Sequence, residues 1–259
     1  MVVSVAAHLS AGEPASSTAV PTVVWHDLEC GAYRADLPLW LELAQEAPDG
    51  PVLDVGAGTG RVALELARAG SRVFAMDQDP ALLEALRIRA ADLDVDVETH
   101  CADARSFTLP EGEEVALCVV PMQTVQLLGG VQGRLAFLRR ARAHLRPGGL
   151  LACAIVTELE PFDCGDGGPA PSPEETRVGG VLYRSQATRV EVGPQAIAIE
   201  RERSTSASRT TERDLIELDR LTVAQLEAEG VAAGLHPEAA RHVPPTADHS
   251  GSWVVILHA

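Results

Sequence analysis

Aromatic side chains are scarce: three Trp, two Tyr and four Phe make up 3% of 259 residues. Bases stack on such rings, so the chain has few platforms for single-stranded nucleic acid. Positive charge is short as well. Lys and Arg total 21 against 37 Asp and Glu, a formal net charge of −16. A polyanion would be repelled over most of this surface, which excludes non-specific nucleic-acid binding as the main task. No apolar run approaches the ~18 residues of a membrane span, and the first residues lack the basic segment that opens a secretory signal. The five cysteines, at positions 30, 101, 118, 153 and 164, are odd in number and contain no Cys-x-x-Cys pair. That pattern excludes a disulfide framework and a zinc site and points to a reducing, cytoplasmic setting.

Hydrophobic residues, at 46%, are plentiful enough for a large α/β core. Residues 1–24 are rich in Ala, Ser, Pro and Gly and read as a flexible arm. A helix is predicted from Asp36 to Glu46, with Asp36 as cap and Pro38 in the first turn. Strands at 51–55, 72–76, 95–100, 115–120 and 150–156 then alternate with helices at 60–69, 80–91 and 131–145. This alternation predicts a parallel sheet with helices on both faces. Arg134, Arg139, Arg140, Arg142 and Arg146 read as the solvated face of the third of these helices. Residues 160–176 read as a loop. Three runs with strand alternation, at 180–192, 195–205 and 209–220, predict an antiparallel meander. A helix at 222–233 and a strand at 252–258 close the chain.

The stretch that carries chemistry is Val52-Leu53-Asp54-Val55-Gly56-Ala57-Gly58-Thr59-Gly60-Arg61. A buried strand enters a glycine turn and leaves as a helix, which brings backbone close to a nucleotide. A dinucleotide site needs Gly-x-Gly-x-x-Gly, and Arg61 occupies the late-glycine position. Asp54 would repel a pyrophosphate but suits a cation such as the ammonium of a methionine-derived group. Asp77 ends the second strand 21 residues after Gly56, where a carboxylate can accept both ribose hydroxyls of an adenosine. Gln78 would lie at the adenine edge.

An acidic residue, one residue, then Gly-x-Gly-x-Gly resembles motif I of the class I S-adenosylmethionine (SAM)-dependent methyltransferases, of the small-molecule type with a methyltransferase-25-like domain. Cys101-Ala102-Asp103-Ala104-Arg105 and the Leu145-Arg146-Pro147-Gly148-Gly149 turn are similar to the family at matching places. The resemblance implies a Rossmann-like, seven-stranded, mostly parallel sheet over 25–157 and 221–259. It implies that 158–220 is an inserted antiparallel layer, covering the acceptor pocket or making a homodimer contact. It implies SAM as cofactor, with S-adenosylhomocysteine (SAH) as product. The cofactor would be held by Asp54, Gly56, Ala57, Gly58, Gly60, Asp77, Gln78, Asp103, Ala104 and Arg105, with Pro121 and Met122 as the wall below the methyl group.

Val119-Val120-Pro121-Met122-Gln123-Thr124 lacks Asn-Pro-Pro-Tyr, a Pro-Cys nucleophile and a catechol-type metal set. Nucleobase amines, cytosine C5 chemistry and a metal site are thereby disfavoured. Trp25, Gln123 and Gln126 are placed on the substrate side, and His26, Tyr33 and His249 are the candidate bases. The expected function is methyl transfer from SAM to a nitrogen, oxygen or carbon atom of a small molecule, achieved mainly by alignment. The alternative is a SAM-binding relative without methyl transfer, a repurposed cyclase or assembly partner.

Overall fold

The computed structural model of the protein describes residues 21–167, 171–246 and 249–259. The first sheet grows from short, doubly buried strands. Val52–Val55 (β1), Val73–Asp77 (β2), Val97–Cys101 (β3), Val115–Val120 (β4) and Leu145–Ile155 (β5) run parallel in the order β5-β4-β1-β2-β3. Ser252–His258 (β13) pairs antiparallel with β5. His236–Pro237 (β11) and Arg241–Val243 (β12) then share the free edge of β13.

Alternation along the strands splits the core in two. Leu53, Val55, Phe74 and Met76 pack towards Phe137 and Leu138 of Gly130–His144 (α5) and Leu226 of Val223–Ala232 (α6). Val52, Val73 and Ala75 pack the other way, onto Leu37–Glu46 (α2), Ala63–Arg68 (α3) and Pro80–Asp92 (α4) through Trp40, Leu66 and Leu86. Each large side chain buried here contributes about 1.5–3 kcal/mol. Local chemistry starts the helices: Asp79 accepts from Ala81 N–H at 2.8 Å with Pro80 in the first turn, and Thr222 forms a capping box with Gln225.

The second sheet joins Phe162–Asp163 (β6), Glu174–Val178 (β7), Val181–Val192 (β8), Ala196–Thr205 (β9) and Thr211–Asp219 (β10), all antiparallel. Its inner face carries Val190, Ile197 and Leu218, which form a small core with Val156 at the end of β5. At the seam the buried Gln126 amide donates to Val156 O (3.1 Å) and Asp219 O (2.9 Å) and accepts from Val156 N–H (2.8 Å). Arg134 pairs with Asp219 and Glu229 beside it.

The first helix, Pro21–Cys30 (α1), bridges the two sheets. Val24 and Trp25 pack on Tyr183 of β8. Asp27 bonds Thr59 (2.8 Å) and Arg89 of the first sheet's layer, while Glu29 bonds Ser185 (2.7 Å) and Arg203 (2.7 and 2.6 Å) of the second sheet.

Several sequence expectations change. The arm assigned to 1–24 loses residues 21–24, because Pro21 opens α1 and Val24 is buried; residues 1–20 lie outside the described set. Asp36 does not cap α2, since its carboxylate is taken by Trp40 Nε1 (2.8 Å) and Arg61 (2.6 and 2.8 Å). The helix drawn over 60–69 shortens to α3 because the glycine turn runs on to Val62. The loop drawn over 160–176 includes β6 and the start of β7. Arg134 leaves the solvated face of α5 for its two buried ion pairs. No helix among the described residues is long and apolar enough to cross a membrane.

Candidate active site

At the carboxyl ends of β1, β2 and β4 a cleft of about 520 Å³ opens between the first sheet, α1 and the inner face of the second sheet. Ligand sites of open α/β sheets form at this edge. The β1–α3 turn makes its floor. Gly56, at φ 72°, has no room for a side chain, since a Cβ would run into Thr124. The Gly56 and Ala57 amides bond Met76 O at 2.8 and 3.0 Å, which fixes the turn on β2.

Two carboxylates meet the cleft in different states. Asp77 is held at both oxygens: Gly58 N–H donates to Oδ2 (2.9 Å) and Asp79 N–H to Oδ1 (3.0 Å). Each oxygen keeps a further acceptor position, so the pair remains able to take two hydroxyls. Asp54 is 1% exposed, and neither oxygen has a hydrogen-bond partner among the described residues. Burial pushes its carboxyl up to about 7, against the pull of the Arg61 charge and of the Ala63 amide, which lies close but outside good hydrogen-bond geometry. An unpartnered buried carboxylate is costly and favours a cation beside it. The two together fit a ligand with a positive group at one end and neighbouring hydroxyls at the other.

Gln78, Ala102, Asp103, Ala104 and Arg105 line one end of the cleft. Asp103 is bound by the Arg105 side chain and amide, which hold its carboxyl below the usual range. Pro121, Met122, Gln123 and Thr124 line the far side. Met122 sits at φ 55°, a left-handed backbone that a non-glycine residue adopts at a cost of order 1–3 kcal/mol and that clusters at functional sites.

The candidate bases separate. His26 lines the cleft with its ring over Gly58, where a Cβ would strike it. Burial lowers its pKa, opposed by Asp27 and Asp77, and so favours neutral imidazole. The Thr59 hydroxyl donates to Asp27, leaving its oxygen to accept from His26 Nδ1 at 3.4 Å and Nε2 as the free acceptor. Tyr33 and His249 instead meet edge to face, ring centroids 4.4 Å apart, and neither lines the cleft.

Four other candidates do not line the cleft. Trp25 faces Tyr183 and the Arg203 guanidinium rather than the cleft. Gln126 is consumed by the seam between the sheets. Gly58 spends its amide on Asp77, and Gly60 is a packing glycine whose Cβ would collide with Leu86. Missed from the sequence were Glu29, Cys30 and Arg61, and on the second sheet Ile199, Arg201, Ile216 and Leu218, all lining the cleft. The three-residue step from His26 to Glu29 on one helix, and the alternation of 199 and 201 on one strand, were the available signals. Among the described residues no group of three His, Cys, Asp or Glu side chains could hold a metal ion.

Comparison with known proteins gives the same picture. Residues 52–149 match the model of a methyltransferase domain. The chain is 34% identical over 128 residues to the cypemycin N-terminal methyltransferase of a Streptomyces species, covering 49% of this chain and 51% of that protein. The chain spans less than two thirds of the length of the curated relatives it matches first. Among solved structures, the CcbJ methyltransferase of Streptomyces caelestis aligns with a TM-score of 0.67 at 19% identity, over 88% of this chain and 97% of that one. CalS10 of Micromonospora echinaspora, an amino pentose methyltransferase solved with SAM bound, aligns at 0.62 and 23% identity, over 90% and 91%. At these identities the structures establish a shared fold.

Proposed function

We propose that the chain, whose residues 52–149 match the model of a methyltransferase domain, is a class I SAM-dependent methyltransferase that moves the methyl group of SAM to a nitrogen, oxygen or carbon atom of a small molecule. SAM supplies a methyl group already activated on a cationic sulfur. The protein's part is to bind, orient and exclude water, and such alignment contributes about 7–11 kcal/mol to lowering a barrier.

The observation that carries this reading is the contrast at the turn. Asp54 is buried without a partner, and Asp77 is fixed by two amides with acceptor positions to spare. Asp54 receives the cationic amino-acid end of the cofactor, and Asp77 takes the ribose hydroxyls, with His26 Nε2 closing over the same end. Asp103 and Ala104 receive the adenine edge. Pro121, Met122 and Gln123 form the wall on the methyl side. His26 therefore acts as a positioning residue for the cofactor, and Tyr33 and His249 brace the layer behind Arg61. The second sheet, residues 158–220, covers the acceptor end of the cleft with Ile199, Ile216 and Leu218. The five free thiols suit a reducing cytoplasm.

Calorimetry with SAM and SAH tests the reading. Micromolar binding of both is expected, and no binding of either at millimolar concentration overturns it. A methylated product from a panel of amines, phenols and amino sugars then identifies the acceptor atom.

A further inference from the structure

The charged residues where the second sheet meets the cleft are unequally occupied. Arg203 is paired: it donates twice to Glu29 at 2.7 and 2.6 Å and lies 3.1 Å from Asp214. Arg201, two residues earlier on the same face of β9, lines the cleft itself. Among the described residues it makes one ion pair, a 3.4 Å hydrogen-bonded contact from a terminal nitrogen to Glu174, whose side chain is 40% exposed. Its Nε is buried with no hydrogen-bond partner among the described residues.

The anions nearest Arg201 are shared with Arg203. Asp214 stands directly opposite Arg201 on β10, 3.1 Å from Arg203, and its buried Oδ2 makes no hydrogen bond among the described residues. Glu29 bonds Arg203 and Ser185. Beside Arg201 the wall turns apolar through Ile199, Ile216 and Leu218 of the sheet and Leu127 and Leu128 across the cleft.

From this we infer that Arg201 selects the acceptor: the small molecule carries an anionic oxygen group, a carboxylate or a phosphate, which the Arg201 fork receives while an apolar body lies on Ile199, Ile216 and Leu218. A planar guanidinium offers parallel N–H donors that match either group in a two-bond contact. A buried donor without a partner is what such a site looks like from the protein side. The inference rests on the methyltransferase reading of the same cleft.

The test uses the full chain saturated with SAH and three probes of similar body: phenylacetate, phenyl phosphate and the uncharged 2-phenylethanol, each titrated by calorimetry. At least one anionic probe is expected to bind roughly tenfold or more tighter than the alcohol, the size of a charge-assisted contact. Which of the two binds tells carboxylate from phosphate. Arg201→Gln should abolish that preference, Arg201→Lys should keep part of it, and SAH affinity in both variants should match wild type, which also shows that they fold. Equal or undetectable binding of all three probes to the SAH complex, or a preference that survives in Arg201→Gln, overturns the inference and leaves the methyltransferase reading standing. Failure of SAH itself to bind overturns that reading instead.

Discussion

The two sheets solve burial in opposite ways. In the first, β1 and β4 are buried along their whole length, so each residue faces one of two apolar cores. In the second, β9 is half-buried almost throughout and carries Glu200, Arg201, Glu202 and Arg203 in succession. Hydrophobic burial fixes the first sheet whatever the ligand. The second is held against the first by a small apolar core, the Gln126 seam and ion pairs from α1. On the methyltransferase reading proposed above, the framework that places the cofactor is built from packing, and the sheet proposed to cover the acceptor is built from exchangeable polar contacts.

Substitutions can break this contrast, beginning with the framework. Removing Asp36 leaves Arg61 buried without its partner, their side chains being 2% and 7% exposed. Asp36→Ala should cost about 3–5 kcal/mol, read by urea denaturation. A loss under 1 kcal/mol would mean that the framework does not depend on this pair. Asp77→Ala comes next. It deletes the acceptor of Gly58 and Asp79 and of two hydroxyls, and SAH affinity should fall by roughly a hundredfold or more. Affinity within threefold of wild type would place the ribose elsewhere.

On the cover side, Glu29→Gln weakens the bond between α1 and β9. We expect a loss of about 1.5–3 kcal/mol in stability and faster hydrogen exchange in β8 and β9, with SAH affinity changed less than about threefold. Exchange that rises equally in β1 and β4 would show that the two sheets open as one unit.

The smallest effect belongs to Asp54. Its carboxyl, at about 7 in the folded chain against an ordinary 3.8, is more protonated when folded than when unfolded. The ligand-free protein therefore loses stability as pH rises from about 4 to 7. A cationic ligand favours the ionised form, so binding releases a proton near pH 6, and SAM affinity should drop about tenfold from pH 8 to pH 6. Asp54→Asn should raise the melting temperature at pH 8 while lowering SAM affinity and flattening its pH dependence. A variant less stable than wild type at pH 8 would contradict this assignment.

The first sheet was readable because its signals are local. β4 and β13 have the bounds expected from their uninterrupted apolar runs. The glycine turn and Asp77 carry their meaning in spacing alone. What escaped depends on partners far along the chain. Val24, Trp25 and Leu28 made a short apolar stripe beside a Pro- and Ser-rich stretch, and among the described residues Tyr183, Val178 and Val181 give it something to cover. Tyr33 and His249 looked like separate bases until the fold set them edge to face. Gln126 looked like a substrate contact because nothing local reveals that Val156 and Asp219 consume its amide. Arg201 stood among charges on both faces of its strand, and only the register with β8 and β10 says which face looks inward.

Helix α1 has a kinetic consequence. His26 roofs the cofactor end, Asp27 anchors the helix to the glycine turn and Glu29 anchors it to the cover, all within four residues. Neither compartment can be unroofed without disturbing the fastening of the other. On the methyltransferase reading proposed above, release of the spent cofactor and release of the methylated product are expected to be coupled through this one helix, Pro21–Cys30.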